Sequence, residues 1–153
     1  MSNQKWTTQN IPDMQGKIVI ITGANSGIGY EATRALAAKN AMILMACRSL
    51  DKGEKALEKI RAETPEADLK LMKLDMADMA SVRKFAQAFL AEFNKLDVLI
   101  NNAGVMATPY GKTADGLEMQ LGTNHYGHFL LTGLLFELLK KTPDARVVTV
   151  SSY

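Results

Sequence analysis

The chain has 153 residues, enough for one domain or part of a larger one, and its 47% hydrophobic content can supply a buried core. A formal net charge of +2, from 18 basic and 16 acidic residues with no basic run, excludes the electrostatic footprint of a nucleic-acid binder. The single cysteine, Cys47, excludes an intramolecular disulfide framework and suits a reducing compartment.

Residues 17–22 (KIVIIT) are a short β-branched run ending at a glycine, the pattern of a parallel strand covered on both faces. Residues 27–39 are alanine-rich and predict a helix that Asn40 stops. Residues 41–46 predict a second strand, and residues 50–63 a charged amphipathic helix closed before Pro65. Residues 68–74 alternate as a third strand, after which Ser81 is expected to cap a helix running to about Phe93. Residues 96–100 predict a fourth strand. Thr113 or Asp115 is expected to open a long helix ending near Lys141, where Lys140 and Lys141 oppose the helix dipole. Residues 146–150 predict a fifth strand. No repeat or low-complexity linker breaks the alternation. The predicted fold class is therefore α/β, a doubly wound, Rossmann-type parallel sheet with right-handed βαβ crossovers.

Residues 1–11 are polar and lack the apolar core of a signal peptide. The longest apolar stretch, residues 129–139, is interrupted by Thr132, Gly133 and Glu137 and falls short of the roughly 20 residues a bilayer requires. A soluble, cytoplasmic protein without a membrane partner is the expectation.

The first strand runs into Gly23-Ala24-Asn25-Ser26-Gly27-Ile28-Gly29. Gly23 lets the chain leave the strand sharply, Gly27 removes a side chain where a phosphate approaches the backbone, and Gly29 lets the new helix pack on the sheet. The free N–H groups of that helix start favour a pyrophosphate. A turn whose glycines only solve backbone geometry is the competing reading, and the placement between first strand and first helix favours the nucleotide. No Gly-Lys-Ser/Thr follows, which disfavours an NTPase phosphate loop.

An acidic residue ending the second strand would accept hydrogen bonds from the adenosine ribose, as NAD requires. Here the residues are Ala46, Cys47 and Arg48. Arg48 can pair with a 2′-phosphate, and Lys52, one turn into the next helix, adds charge, so NADP(H) is favoured over NAD(H). Asp75 follows the third strand and Asn101-Asn102-Ala103-Gly104 the fourth. Ligands of open parallel sheets lie outside the carboxyl ends of the strands, so Gly23, Arg48, Asp75, Asn102 and Ser152 are expected along one cleft.

On the long helix, Leu117, Leu121, Asn124, His128, Leu131, Leu135 and Leu138 follow helical spacing and are expected on one buried face. Asn124 and His128 interrupt that stripe and require partners, with a hydrogen-bonded core histidine the favoured role for His128. His125 and His128, with no nearby acid or thiol, are poor grounds for a metal, and none is expected.

Together these motifs resemble the short-chain dehydrogenase/reductase family over nearly the whole chain. The stretch from Asp115 through Thr132 is more narrowly similar to the retinol dehydrogenase-like and WW-domain oxidoreductase-like branch. The resemblance implies an NADP(H)-dependent oxidoreductase acting on a small-molecule alcohol or carbonyl substrate. It implies that Gly23, Ser26, Ile28 and Gly29 hold the cofactor phosphates, within a cofactor-binding turn that also includes Asn25 and Gly27, with Arg48 at the 2′-phosphate and Asp75 and Met76 at the adenine. Asn102, Ala103 and Gly104 would shape the cleft beneath the ribose and nicotinamide. Asn124 matches the active-site asparagine that supports a water in the proton relay, and Ser152 the serine that orients the substrate oxygen.

The family's acid/base pair is a tyrosine followed four residues later by lysine. None of Tyr30, Tyr110, Tyr126 and Tyr153 has that lysine. Losing a positioned acid/base typically costs about 10²–10⁴-fold. The expectation is thus an incomplete sequence carrying the cofactor half, with five strands present, the C-terminal strands missing and no activity by itself. A non-enzymatic NADP(H)-binding module, or a half-domain completed by another chain, is the alternative, and a homo-oligomer is compatible with either.

Overall fold

Five strands pair entirely in parallel: β1 (Ile18–Thr22), β2 (Met42–Cys47), β3 (Leu69–Lys73), β4 (Val98–Asn101) and β5 (Arg146–Thr149). Their spatial order is β3-β2-β1-β4-β5. The structure, a computed structural model, describes residues 5–151. The helices are α1 (Gly27–Ala37), α2 (Leu50–Glu63), α3 (Met79–Glu92), the short α4 (Met119–Leu121) and α5 (Gly127–Lys141).

Successive strand residues face opposite sides, and because both sides of the central strands β1 and β2 are covered these runs have no polar face, whereas the edge strand β5 is exposed at all four positions. Val19, Ile21, Ile43 and Met45 pack with Ala37 of α1 and with Ala56, Leu57 and Ile60 of α2. Ile20, Leu44 and Leu99 pack on the other face, against Val82, Phe85 and Phe89 of α3 and Leu131 and Leu135 of α5. Each fully buried side chain of this size contributes about 1.5–3 kcal/mol, so the two faces together hold the layers. This is the doubly wound α/β arrangement the alternation predicts. Asn40 stops α1 as expected, in the left-handed region with φ 67°.

Two helix starts differ from expectation. Asp78, not Ser81, caps α3: its Oδ1 accepts from Ala80 N at 2.9 Å and Ser81 N at 3.3 Å. Ser81 lies inside the first turn, and its hydroxyl accepts from Asp75 N at 2.9 Å. A carboxylate placed one turn earlier, before the helix formers Met79 and Ala80, takes the cap.

Nor does a long helix open at Thr113 or Asp115. Thr113 N donates to Leu117 O at 2.8 Å, Gly116 takes φ 80°, and a bridge joins Lys112 to Glu118. The Asp115 carboxylate is committed to Met79 N at 2.9 Å, at the start of α3. Helix begins only at Met119, where the Glu118 carboxylate accepts from Gln120 N at 2.9 Å and Leu121 N at 2.7 Å.

The leucine stripe is also divided. Between α4 and α5 lies a π turn, Gly122–Tyr126, whose extra residue rotates the side chains of α5 relative to those of α4. Leu121 and Asn124 are consequently exposed, while His128, Leu131, Leu135 and Leu139 form the buried row of α5. Leu138 is half-buried.

Candidate nucleotide-binding site

The strand order reverses between β1 and β4, the switch point of an open parallel sheet. There the turn after β1 meets the turn after β4. Gly23 takes φ 68°, and its N–H donates to Ala46 O at 2.8 Å. A β-carbon on Gly29 would lie 2.5 Å from Asn102 Nδ2, so only glycine lets α1 come this close. Asn102 Nδ2 donates to Thr22 O at 2.9 Å, and the Thr22 hydroxyl, fully buried, accepts from Asn102 N and Ala103 N, each at 2.9 Å.

A cleft of about 450 Å³ opens above this junction. Gly23, Asn25, Ser26 and Ile28 line it from the first turn, Arg48 and Lys52 from the end of β2 and the start of α2. Asp75 and Met76 line it after β3, and Asn102, Ala103 and Gly104 after β4. The shared topological address thus brings together candidate residues from four different strand ends. Gly29 lies beneath, packed against Gly23. Gly27 lines an adjoining cavity with Lys52, Lys55 and Lys59, and a β-carbon there would meet nothing within 4 Å. Ser152 lies outside the described residues.

Ser26 precedes α1 in extended backbone and makes no side-chain cap. The first N–H groups of α1 therefore carry the positive end of the dipole without a capping oxygen. Arg48 and Lys52 are exposed and take part in no ion pair among the described residues. The Asp75 carboxylate serves two purposes by geometry: Oδ1 accepts from Ala77 N at 3.0 Å, closing a turn, while the residue lines the cleft.

Several further residues line the cleft. Ser49 is there because it caps α2, accepting from Lys52 N at 3.4 Å, a role that its position before Leu50 could have suggested. Val105, Thr123 and Val150 arrive through tertiary packing. Cys47 is buried between the cleft residues Ala46 and Arg48 and does not line the cleft. Burial pushes its thiol up to about 11, against the pull of the Ala24 and Asn25 N–H groups that point at the sulfur.

Asn124 does not project from a buried stripe. Its Oδ1 accepts from Val105 N and its Nδ2 donates to Val105 O, both at 2.8 Å, so the amide clasps the loop that follows Gly104. His128 is buried: burial lowers its pKa, and the bond to Asn124 O works the other way. Among the described residues no group of three His, Cys, Asp or Glu side chains could hold a metal ion.

A family model described as short chain dehydrogenase matches residues 17–153. The chain belongs to the short chain dehydrogenase family. Its residues are 55% identical to human (Homo sapiens) retinol dehydrogenase 12 over 139 residues, 91% of this chain and 44% of that protein. The crystal structure of a short chain dehydrogenase from Escherichia coli CFT073 complexed with NADPH is 26% identical, with a TM-score of 0.78. It covers 92% of this chain and 60% of that one. A short chain dehydrogenase/reductase from Burkholderia phymatum in complex with NAD is likewise 26% identical, with a TM-score of 0.77, covering 93% of this chain and 51% of that one. The chain thus spans about half the length of the short chain dehydrogenases it matches, and relatives of one fold carry either nucleotide. No helix among the described residues is long and apolar enough to cross a membrane.

Proposed function

We propose that this chain is the cofactor-binding half of an NADP(H)-dependent oxidoreductase that moves a hydride between nicotinamide and an alcohol or carbonyl carbon. The observation that carries the reading is Arg48. It lines the cleft at the end of β2, has no ion pair among the described residues, and has no carboxylate beside it to bind ribose hydroxyls. A guanidinium there suits the extra 2′-phosphate, and Lys52 adds a second positive charge. The residues present fit the group: the uncapped start of α1 and the open space above Gly27 leave room and N–H donors for a pyrophosphate.

When bound, the nicotinamide supplies or accepts the hydride. The chain's own contribution is placement. Gly23, Asn25, Ser26, Gly27, Ile28 and Gly29 would hold the phosphates, Asp75 and Met76 would border the adenine, and Asn102, Ala103 and Gly104 would floor the nicotinamide end. Asn124 fixes the loop beside that end, and Ser152 would orient the substrate oxygen.

Fluorescence titration of the purified protein with NADPH and NADH tests the cofactor. NADPH binding at least about tenfold tighter supports the reading, and equal or tighter NADH binding overturns the NADP(H) assignment. Assay with retinol, suggested by the similarity to human retinol dehydrogenase 12, then tests the half-enzyme reading: with no tyrosine followed four residues later by lysine, the chain alone should bind NADPH without turnover, and turnover of retinol by the chain alone would overturn its description as a cofactor-binding half.

A further inference from the structure

His128 joins two clamps that hold one loop. The first clamp is Thr22, whose hydroxyl oxygen accepts from Asn102 N and Ala103 N at 2.9 Å each. The second is Asn124, whose side-chain amide takes both backbone groups of Val105 at 2.8 Å. His128 Nε2 lies 2.9 Å from Thr22 Oγ1, and His128 Nδ1 lies 3.0 Å from Asn124 O. Thr22, Asn102, Ala103, Val105, Asn124 and His128 thus close a ring around the turn after β4.

The chemistry of the atoms fixes every proton in that ring. A backbone carbonyl only accepts, so His128 Nδ1 carries the hydrogen and donates to Asn124 O. Nε2 is then bare and accepts the Thr22 O–H. Having spent its one hydrogen, the Thr22 oxygen keeps its lone pairs for the two N–H groups of the turn. The competing acceptor, Ile100 O, is 3.4 Å away from Thr22 Oγ1, a poorer partner. The reverse tautomer would set a bare Nδ1 against a carbonyl oxygen and is disfavoured.

A histidine serving the core alone could satisfy its nitrogens anywhere. Here both nitrogens reach groups that hold residues lining the cleft. We infer that His128, through its Nδ1–H tautomer, is a positioning residue that sets the 102–105 loop for the nicotinamide end of the cofactor. This role rests on the proposed NADP(H) reading.

Isothermal titration of the purified protein with NADPH and with 2′,5′-ADP, which lacks the nicotinamide half, tests the inference. His128→Phe keeps an aromatic ring and removes both bonds. It should weaken NADPH by about tenfold while 2′,5′-ADP stays within about twofold. His128→Asn, which restores an amide near the Nδ1 position, and His128→Gln, which restores one near Nε2, should each recover part of the loss. Equal weakening of both ligands, or none of either, makes His128 a core residue and overturns the inference. Nitrogen NMR of the unaltered protein gives an answer that does not depend on any variant folding: a hydrogen on Nε2 at neutral pH overturns it, and one on Nδ1 alone supports it. If the unaltered protein binds 2′,5′-ADP and NADPH not at all, the nucleotide reading itself has failed and the positioning role falls with it.

Discussion

A β-carbon placed on Gly29 would sit 2.4 Å from the carbonyl oxygen of Gly23. The first helix and the first turn of the nucleotide cleft therefore touch backbone to backbone, at a distance that no side chain permits. Gly29→Ala should destabilise the fold by about 1–3 kcal/mol, because the atom it meets is main chain and cannot rotate away. Gly27→Ala meets open space and costs only left-handed strain, about 1–2 kcal/mol, at φ 54°. Urea denaturation of the two variants checks the contrast in mechanism. If both lose nucleotide binding while Gly27→Ala unfolds with a normal slope m, the two glycines have separate duties.

Arg48→Ala should cost NADPH about tenfold or more in affinity and leave NADH within about twofold, since a charge-assisted hydrogen bond contributes roughly 1.5–3 kcal/mol. Paired fluorescence titrations measure this. Equal losses for the two nucleotides would mean that Arg48 shapes the cleft rather than reading the phosphate.

At the opposite end of the sheet, Asp97 ties β1 to β4. Its Oδ2 accepts from Ile18 N at 2.9 Å and its Oδ1 from Lys17 Nζ at 3.0 Å, while Lys95 lies 3.2 Å from Oδ2. Burial pushes its pKa up, but the Ile18 N–H and the two lysines outweigh burial and hold it below 3.8. The contribution of this carboxylate to stability is therefore complete above about pH 3.8 and is lost as pH falls through the lower folded value. Asp97→Ala should remove about 1–3 kcal/mol at neutral pH and flatten the acid limb of a Tm-against-pH curve. An unchanged acid limb would assign acid unfolding to other carboxylates.

His128 titrates the other way in charge but with the same dependence. Its folded pKa lies below 6.5, depressed by burial with the Asn124 O bond opposing. Stability from the neutral ring is therefore complete above about pH 6.5 and declines as pH falls toward the folded value. Melting curves between about pH 7.5 and 5.5 should fall more steeply for the unaltered protein than for His128→Gln. Parallel curves would show that the imidazole takes up its proton without cost.

Cys47 is fully buried, with a thiol held near 11 chiefly by burial. At about pH 8 only about one molecule in a thousand would carry a thiolate there, so alkylation by iodoacetamide should be slow in native protein and fast in urea. Comparable rates in the two states would place the sulfur within reach of solvent.

The sheet is legible in the sequence because its central strands β1 and β2 are covered on both faces, while β5, exposed at all four positions, is marked only by its valines. KIVIIT and MILMAC bury all but their first residues, and the glycine-rich turn and Asn102 lie where chain order alone puts them. Most residues of the cleft can be placed the same way. The features that escape a sequence reading are set by contacts distant along the chain. The Asp115 carboxylate looks like a helix cap, yet it serves Met79, 36 residues away. The stripe from Leu117 to Leu138 is sound as spacing, but a π turn at residues 122–126 changes its phase, and no residue in that turn announces it. Asn124 stands out for its polarity in an apolar row. Its clasp on Val105 depends on a loop whose path the local sequence does not specify.

The pairing of β1 has a temporal side. Ile18 pairs with Met42, a neighbour reached by a short excursion, whereas Val19 pairs with Val98, reached only after the chain has built β2 and β3. Closing the longer loop costs more entropy, so the seam between β1 and β4 is expected to form after the seam between β1 and β2. The candidate cleft sits on that seam. A dinucleotide reaching from Arg48 to Asn102 would bind only chains in which this pairing is complete, and would act as a latch that stabilises the closed seam.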